Sequence, residues 1–563
     1  MVGRLTARRP LIATFMRFGM GVFVAAAFLP SYAEAAVRAE ASGGKDGGPL
    51  TIGISSFDFI DPALVLDPAA SDTASVVAAT WGTADATCAM LFRYPATAPT
   101  AVRFDFVPEV ADGFPDVSHD GKTYTFTIRK GFRFSTGSPV TAQSYVRAIN
   151  RVLNPVVNSP GARYLQDIVG AEAMQQGTGR TASGVTARGD QLIVRLKKRV
   201  PDFTARTTMP YFCPVQQDLP TVPEGVGAPL PGSGPYYVSE FVRGSRVVLK
   251  PNQYYRGTRP HHLDQIVFQV DPDQVGNTRK VEAGERDIDL AVPLPTIGEI
   301  AAKYGVNQKQ FFSVRSPSVF YIYMNTQRPL FRNNPKLRQA VNFALDRTAM
   351  LKAFGGPFGA RTDSYLPPGL PGYVNTHPYA VRHPDLEKAR ALASGHTRTG
   401  KAVYYTCDNV LRACLVWAQL VQGALKQIGI DVDIKQFPTD ASAAKTRTRG
   451  AQFDLTDRRL DVAWVDPYQY INVQLDGRTI QPAGNLNLSY FSSPHYNRLL
   501  DQAGSLSGHT RYDAYGKLAV DIARDAAPMA AVVDRNTRIF VSSRVGCVRA
   551  GVHYLDLASL CIK

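Results

Sequence analysis

The chain has 563 residues, of which 45% are hydrophobic, 20% charged and 10% aromatic, the balance of a folded globular protein, and that excludes disorder along the whole chain. At roughly 100–200 residues per domain the length corresponds to about three compact units and excludes a mini-protein scaffold, while 46 Gly and 39 Pro without a Gly-every-third period exclude collagen. A net charge of +16 raises a polyanionic partner, but the densest basic cluster is Lys197-Lys198-Arg199 and the rest are scattered among Asp and Glu, which argues against nucleic acid.

Residues 1–35 read as an export signal: Arg4, Arg8 and Arg9 start it, Phe18 to Pro30 is apolar, and Ala33-Glu34-Ala35 supplies a small-residue cleavage site. The apolar stretch is 13 residues, against about 20 for a spanning helix. Removing it takes away Arg4, Arg8, Arg9, Arg17 and Glu34, so most of the positive surplus stays on the mature chain. Cys88 is the first cysteine, too far from the apolar stretch for a lipid attachment site. The expected location is therefore soluble and exported, in the periplasm or at the extracellular face of the membrane.

Residues 36–48 are a polar, Gly-rich linker. From Leu50 the chain alternates strand and helix signals: strands at Leu50–Ser55, Thr123–Arg129, Gln191–Leu196, Arg246–Lys250 and Gln265–Val270, with a helix over Ala142–Leu153 capped by Thr141. Gly232-Ser233-Gly234-Pro235 reads as a tight turn into a strand at Tyr236, because Pro235 removes a backbone N–H that a phosphate cradle needs. A second α/β unit begins near Phe320 with the strand Phe320–Met324 and a helical pattern over Pro335–Phe354. Lys401–Thr406, Leu415–Ile428 and Asp431–Gln436 make a strand–helix–strand unit, the usual parallel crossover. A helix at Tyr512–Arg524 and a strand at Thr537–Ser542 close the chain.

Cys88, Cys213, Cys407, Cys414, Cys547 and Cys561 suit an oxidising compartment, and their spacings are not those of a zinc ribbon. Six cysteines allow fifteen pairings. Proximity favours Cys407–Cys414 and Cys547–Cys561, leaving Cys88–Cys213.

A nucleophile elbow, a P-loop, HExxH and a dinucleotide fingerprint are all absent in interpretable context, so neither an enzyme nor a cofactor is expected. His261-His262 is a poor chelating pair, since neighbouring side chains diverge. The most informative stretch is Leu460–Tyr470 (LDVAWVDPYQY), which gathers Trp464, Tyr468 and Tyr470 around Asp466 and Pro467. It reads either as a strand end packed into the core with Asp466 capping a turn, or as a cleft wall in which aromatics give apolar contact and the carboxylate binds an ammonium group.

Three blocks then resemble one family. Val107–Asn150 carries Asp120-Gly121-Lys122, Arg129-Lys130-Gly131, Phe134, Gly137 and Thr141-Ala142; Gly232–Tyr255 carries Gly-x-Gly-Pro-Tyr; Tyr323–Arg347 carries Asn-Thr, Pro-Leu-Phe and Arg-Gln-Ala…Ala-x-Asp-Arg. Leu366–Tyr373, Ile428-Gly429-Ile430 and Ser489–Ala503 follow in order. This resembles the extracytoplasmic solute-binding proteins of peptide and nickel ABC transporters, the oligopeptide/dipeptide-binding group, solute-binding protein family 5. The resemblance implies an α/β, two-lobe periplasmic-binding-protein-like fold with mixed sheets and a hinge between lobes. It places a discontinuous first lobe at 49–315 plus 525–563, an inserted subdomain at about 70–190 and a second lobe at 316–524.

It also implies a monomer that captures a peptide or peptide-like solute between its lobes and delivers it to a membrane permease and its ATPase. Trp464 and Tyr468 would line the cleft, Tyr321, Tyr323 and Asn325 would contribute from the hinge side, and Phe57 from the first lobe. Family members commonly carry an Asp shortly before the Asp-Pro pair that holds a peptide's α-amino group, and Ala463 stands there by collinear counting. Either Asp466 takes that role or the amine contact is absent. The alternatives are a nickel or metal-chelate binder or another non-peptide solute binder, and an exported hydrolase, which would need a buried nucleophile–base pair in the cleft.

Overall fold

Two unusually long strands organise the molecule. Phe311–Met324 spans 14 residues and Met529–Val541 spans 13, and they pair antiparallel from Phe311 opposite Phe540 to Tyr323 opposite Met529. The ladder breaks between Arg315 and Val319, where Pro317 has no N–H to donate, and Arg535 lies between the partners on either side of the gap. In this computed structural model the residues described are 45–71, 74–101, 104–409, 413–552 and 554–563. The export-signal reading and most of the linker lie outside them.

Each long strand serves both halves of one mixed sheet. Ser318–Met324 pairs with Leu455–Asp461, which lies beside Lys401–Cys407 and then Asp431–Phe437; at the other end Phe540 and Val541 pair with Ile288–Asp289, followed by Pro49–Ile54, Gln265–Val270, Arg246–Pro251 and Tyr236–Val242. Among the described residues this gives eleven strands, with Gly359–Arg361 pairing on the second long strand. Lys401–Cys407 and Asp431–Phe437 run parallel around the helix Cys414–Lys426, the crossover that the strand–helix–strand pattern predicts. The architecture is thus α/β with mixed sheets and two lobes joined across the long strands.

Strands in the middle of such a sheet are buried on both faces. Along Phe311–Met324, Ile322 and Met324 pack with Trp417 and Leu425 on one side, while Tyr321 and Tyr323 pack with Tyr470 and Leu475 on the other. A separate four-stranded sheet, ordered Asp116–Val117, Thr123–Thr127, Gln191–Arg195, Val185–Arg188, shares a core with the helix Ala142–Leu153. That helix has Thr141 at its cap, with Thr141 and Ser144 bonding reciprocally.

The pattern over Pro335–Phe354 is two helices, Pro335–Ala344 and Arg347–Ala353, not one. Asp346 causes the break: its carboxylate accepts from the Ala349 N–H at 2.9 Å and so starts a new helix. The Gly232–Pro235 turn packs directly on the end of the helix Ala74–Thr87, where a Cβ at Gly234 would lie 2.6 Å from the Ala86 carbonyl. Cys88–Cys213, Cys407–Cys414 and Cys547–Cys561 are each bonded, with Cα atoms 5.4, 5.5 and 5.4 Å apart. The last of these fastens the C-terminal tail, which also bridges back to Lys45 through Ile562.

Candidate functional site

The Leu460–Tyr470 segment leaves the strand Leu455–Asp461 and turns into the helix Pro467–Leu475, with Asp466 at the cap and Pro467 in the first turn. Asp466 is buried; one carboxylate oxygen accepts from the Tyr468 N–H at 2.8 Å and from Arg511 Nη2 at 2.7 Å. Trp464 is buried in the core shared with the four-stranded sheet, its indole N–H donating to Asp202 at 3.1 Å and its ring meeting Tyr164 edge-on at 5.2 Å. Arg206 lies over the rings of Trp464 and Tyr468 at 4.9 and 5.5 Å and is paired with Asp202 at 3.0 Å and Asp167 at 2.9 Å.

Arg511 also reaches Asp202 at 3.6 Å, so two guanidiniums alternate with three carboxylates in one network. Burial pushes the Asp466 carboxyl above the usual carboxylate range, with Arg511 opposing and Asp202 adding to the rise. For Asp202 burial acts in the same direction, but Arg206 and Arg511 together outweigh it and hold the carboxyl below that range.

The remaining candidates have inward partners of their own. Tyr321 donates to the Tyr365 carbonyl at 2.8 Å, Tyr323 to the Gln474 side chain, and Asn325 to the Phe453 carbonyl at 3.1 Å. Phe57 packs on Phe268 with ring centroids 5.3 Å apart. The structure therefore brings Trp464, Asp466 and Tyr468 together, puts Tyr321 and Tyr323 in the core below them, and leaves Phe57 in a separate core.

None of these seven side chains lines the cavity, of about 130 Å³, that lies where the two halves of the sheet meet the long strands. One wall carries Arg458 and Arg459 from the strand Leu455–Asp461 and Arg535 and Arg538 from Met529–Val541. Beside them the lining is aromatic: Phe320 packs on Trp417 and Phe354 at 5.0 and 5.1 Å. Gln274 and Leu294 close it from the first half, and the Cys407–Cys414 disulfide from the second.

On this strand Phe320 lines the cavity, while Tyr321, one residue on, points away into the core. The arginines carried a usable signal. LTDRRLD and the DRNTR within MAAVVDRNTRIFV place charges inside central strands buried on both faces, where a charge without a function is rare.

This geometry matches known proteins over most of the chain. Residues 105–481 match the family described as bacterial extracellular solute-binding proteins, family 5. The chain belongs to this family. It is an extracytoplasmic solute-binding protein of the ABC-importer type and a binder, not an enzyme.

Among relatives, the oligopeptide-binding protein OppA of Bacillus subtilis (strain 168) is 25% identical over 456 residues, covering 75% of this chain and 80% of its own. Heme-binding protein A of Haemophilus influenzae is 25% identical over 449 residues, covering 75% and 78%. In three dimensions the solved structure of clavulanic acid biosynthesis oligopeptide binding protein 2 superposes with a TM-score of 0.81 at 22% identity, covering 92% of this chain and 96% of that one. Among the described residues no helix is long and apolar enough to cross a membrane, and no three His, Cys, Asp or Glu side chains cluster as a metal site.

Proposed function

We propose that this family 5 protein, acting as a monomer, captures a small peptide-like solute in the cavity between its halves and hands it to a membrane permease driven by an ATPase. The observation that carries the reading is the lining itself: both halves of the sheet and both long strands contribute to one cavity. A ligand contacting both halves favours the closed arrangement by its differential affinity for it. Bending belongs at the Pro317 gap in the ladder, with 49–315 plus 525–563 as one lobe and 316–524 as the other.

In this reading Trp464, Asp466 and Tyr468 form a clasp that fastens the second half to the inserted region, and Asp466 is already neutralised by Arg511. Names among the relatives cover both peptides and heme, so the shared property is capture of a solute and not one ligand. Native mass spectrometry of the protein purified from its host tests capture: a stoichiometric co-purified small molecule is expected. Asp466→Asn tests the clasp against the amine contact, because an amine contact requires that affinity for amine-bearing peptides fall while stability holds, and the clasp requires the reverse.

A further inference from the structure

The charges on the cavity wall do not balance. Arg459 is paired with Asp461 at 2.7 Å. Arg458 instead rests on three neutral acceptors, the Asp457 carbonyl at 2.7 Å, Ser442 at 2.8 Å and Thr446 at 3.2 Å. Arg538 has the Phe354 carbonyl at 3.3 Å and the Phe354 ring at 5.1 Å. Among the described residues neither Arg458 nor Arg538 forms an ion pair, although they are only 7% and 8% exposed. The Nε–H groups of Arg458, Arg459 and Arg538 are buried with no acceptor.

A buried guanidinium without a counter-charge is costly, and two such residues are among the lining of this one cavity. Asp457 is the sole carboxylate among the described lining residues. It is occupied by hydrogen bonds from Thr406 at 2.9 Å and Tyr404 at 3.1 Å, and burial pushes its carboxyl above the usual range with Arg458 opposing. Burial lowers the Arg538 guanidinium to about 10, with Asp289 opposing and the charge of Arg459 adding to the fall. Four helices also open on the space with their first residues, Gln274, Leu294, Cys414 and Thr439, and helix starts carry partial positive charge.

We infer that the ligand of this cavity is a compact anion with an apolar body: a carboxylate or phosphate held by Arg458 and Arg538, and a body lying on the Phe320–Phe354–Trp417 wall. Guanidinium forks match either anion bidentately, and the aromatic wall takes the remainder. The volume limits its size. The cavity, of about 130 Å³, suits a small solute with one apolar body. The inference rests on the solute-capture reading and specifies its substrate class.

Isothermal titration of the mature protein with four probes of one size tests it: 3-phenylpropionate, its amide, phenyl phosphate and phenethylamine. Either anion is expected to bind at least about tenfold more tightly than amide or amine, and the better of the two identifies carboxylate or phosphate chemistry. Arg458→Gln and Arg538→Gln are expected to abolish that preference without lowering the melting temperature of the empty protein, and Arg538→Lys to restore part of it. Equal or tighter binding of the amide or the amine overturns the charge assignment and leaves solute capture standing. If no probe binds, the ligand co-purified from the host decides: an anion upholds the inference, a neutral or cationic one overturns it, and no ligand at all overturns capture itself.

Discussion

Two buried groups of arginines lie in this protein and differ in what surrounds them. At the clasp, Arg206 and Arg511 meet Asp167, Asp202 and Asp466 at 2.7–3.6 Å, the closest pairs being Arg511–Asp466 at 2.7 Å and Arg206–Asp167 at 2.9 Å. At the cavity, Arg458 and Arg538 have carbonyls, hydroxyls and a ring. The first group is internally neutralised and contributes to holding the fold together; the second is left with positive charge that something outside the chain can match. Burial and residue type are the same in both, so the presence of a carboxylate counter-charge is what separates a structural cluster from a binding one.

The comparison breaks most visibly at Arg511. Arg511→Gln leaves Asp466 and Asp202 buried with one guanidinium fewer, and a loss of about 3–5 kcal/mol is expected in a denaturant melt, whereas Arg458→Gln costs little in the empty protein. If both variants lose equally, the distinction fails.

Asp534, beside Arg535 on the second long strand, is an intermediate case: its Oδ1 has no hydrogen-bond partner, and burial pushes its carboxyl up to about 8, with Arg315 opposing and Asp363 adding. The unfolded value is about 4, so ionisation is disfavoured in the fold and the protein loses stability as pH rises from about 4 to 8. Asp534→Asn removes that slope. It is expected to melt several degrees above the parent at pH 8, with the gap closing toward pH 4 in a thermal scan across pH.

Smaller effects sharpen the two regions separately. Trp464→Phe deletes the indole N–H to Asp202 and should cost about 2 kcal/mol without altering the ligand preference of the cavity. Replacing Cys407 and Cys414 by Ala opens a short loop and should cost at most about 2 kcal/mol. Because that disulfide lines the cavity, a fall in affinity should accompany it.

Most of the framework was legible because period and punctuation sufficed. Gln265–Val270 and Ala142–Leu153 have the bounds the pattern predicts, and the parallel crossover around Cys414–Lys426 follows from strand–helix–strand order. Met529–Val541 was visible only from Thr537, because Asp534 and Arg535 interrupt its apolar run. Those charges hid the strand and mark the cavity, so one local violation of the pattern obscured both fold and site. At Trp464 and Asp466 the aromatic–acidic composition suits a ligand wall and a clasp equally well. What separates them is the position of Arg511, 45 residues further on, which no linear spacing reports.

The bridge between Lys45 and Ile562, locked by Cys547–Cys561, has a mechanical meaning. Both ends of the described chain are seated in the half built around Pro49–Ile54, and none lies in the half that carries Lys401–Cys407 and Asp431–Phe437. A tether attached at either end therefore loads the same body. The other half receives that load through the long strands and the clasp at Trp464 and Asp202.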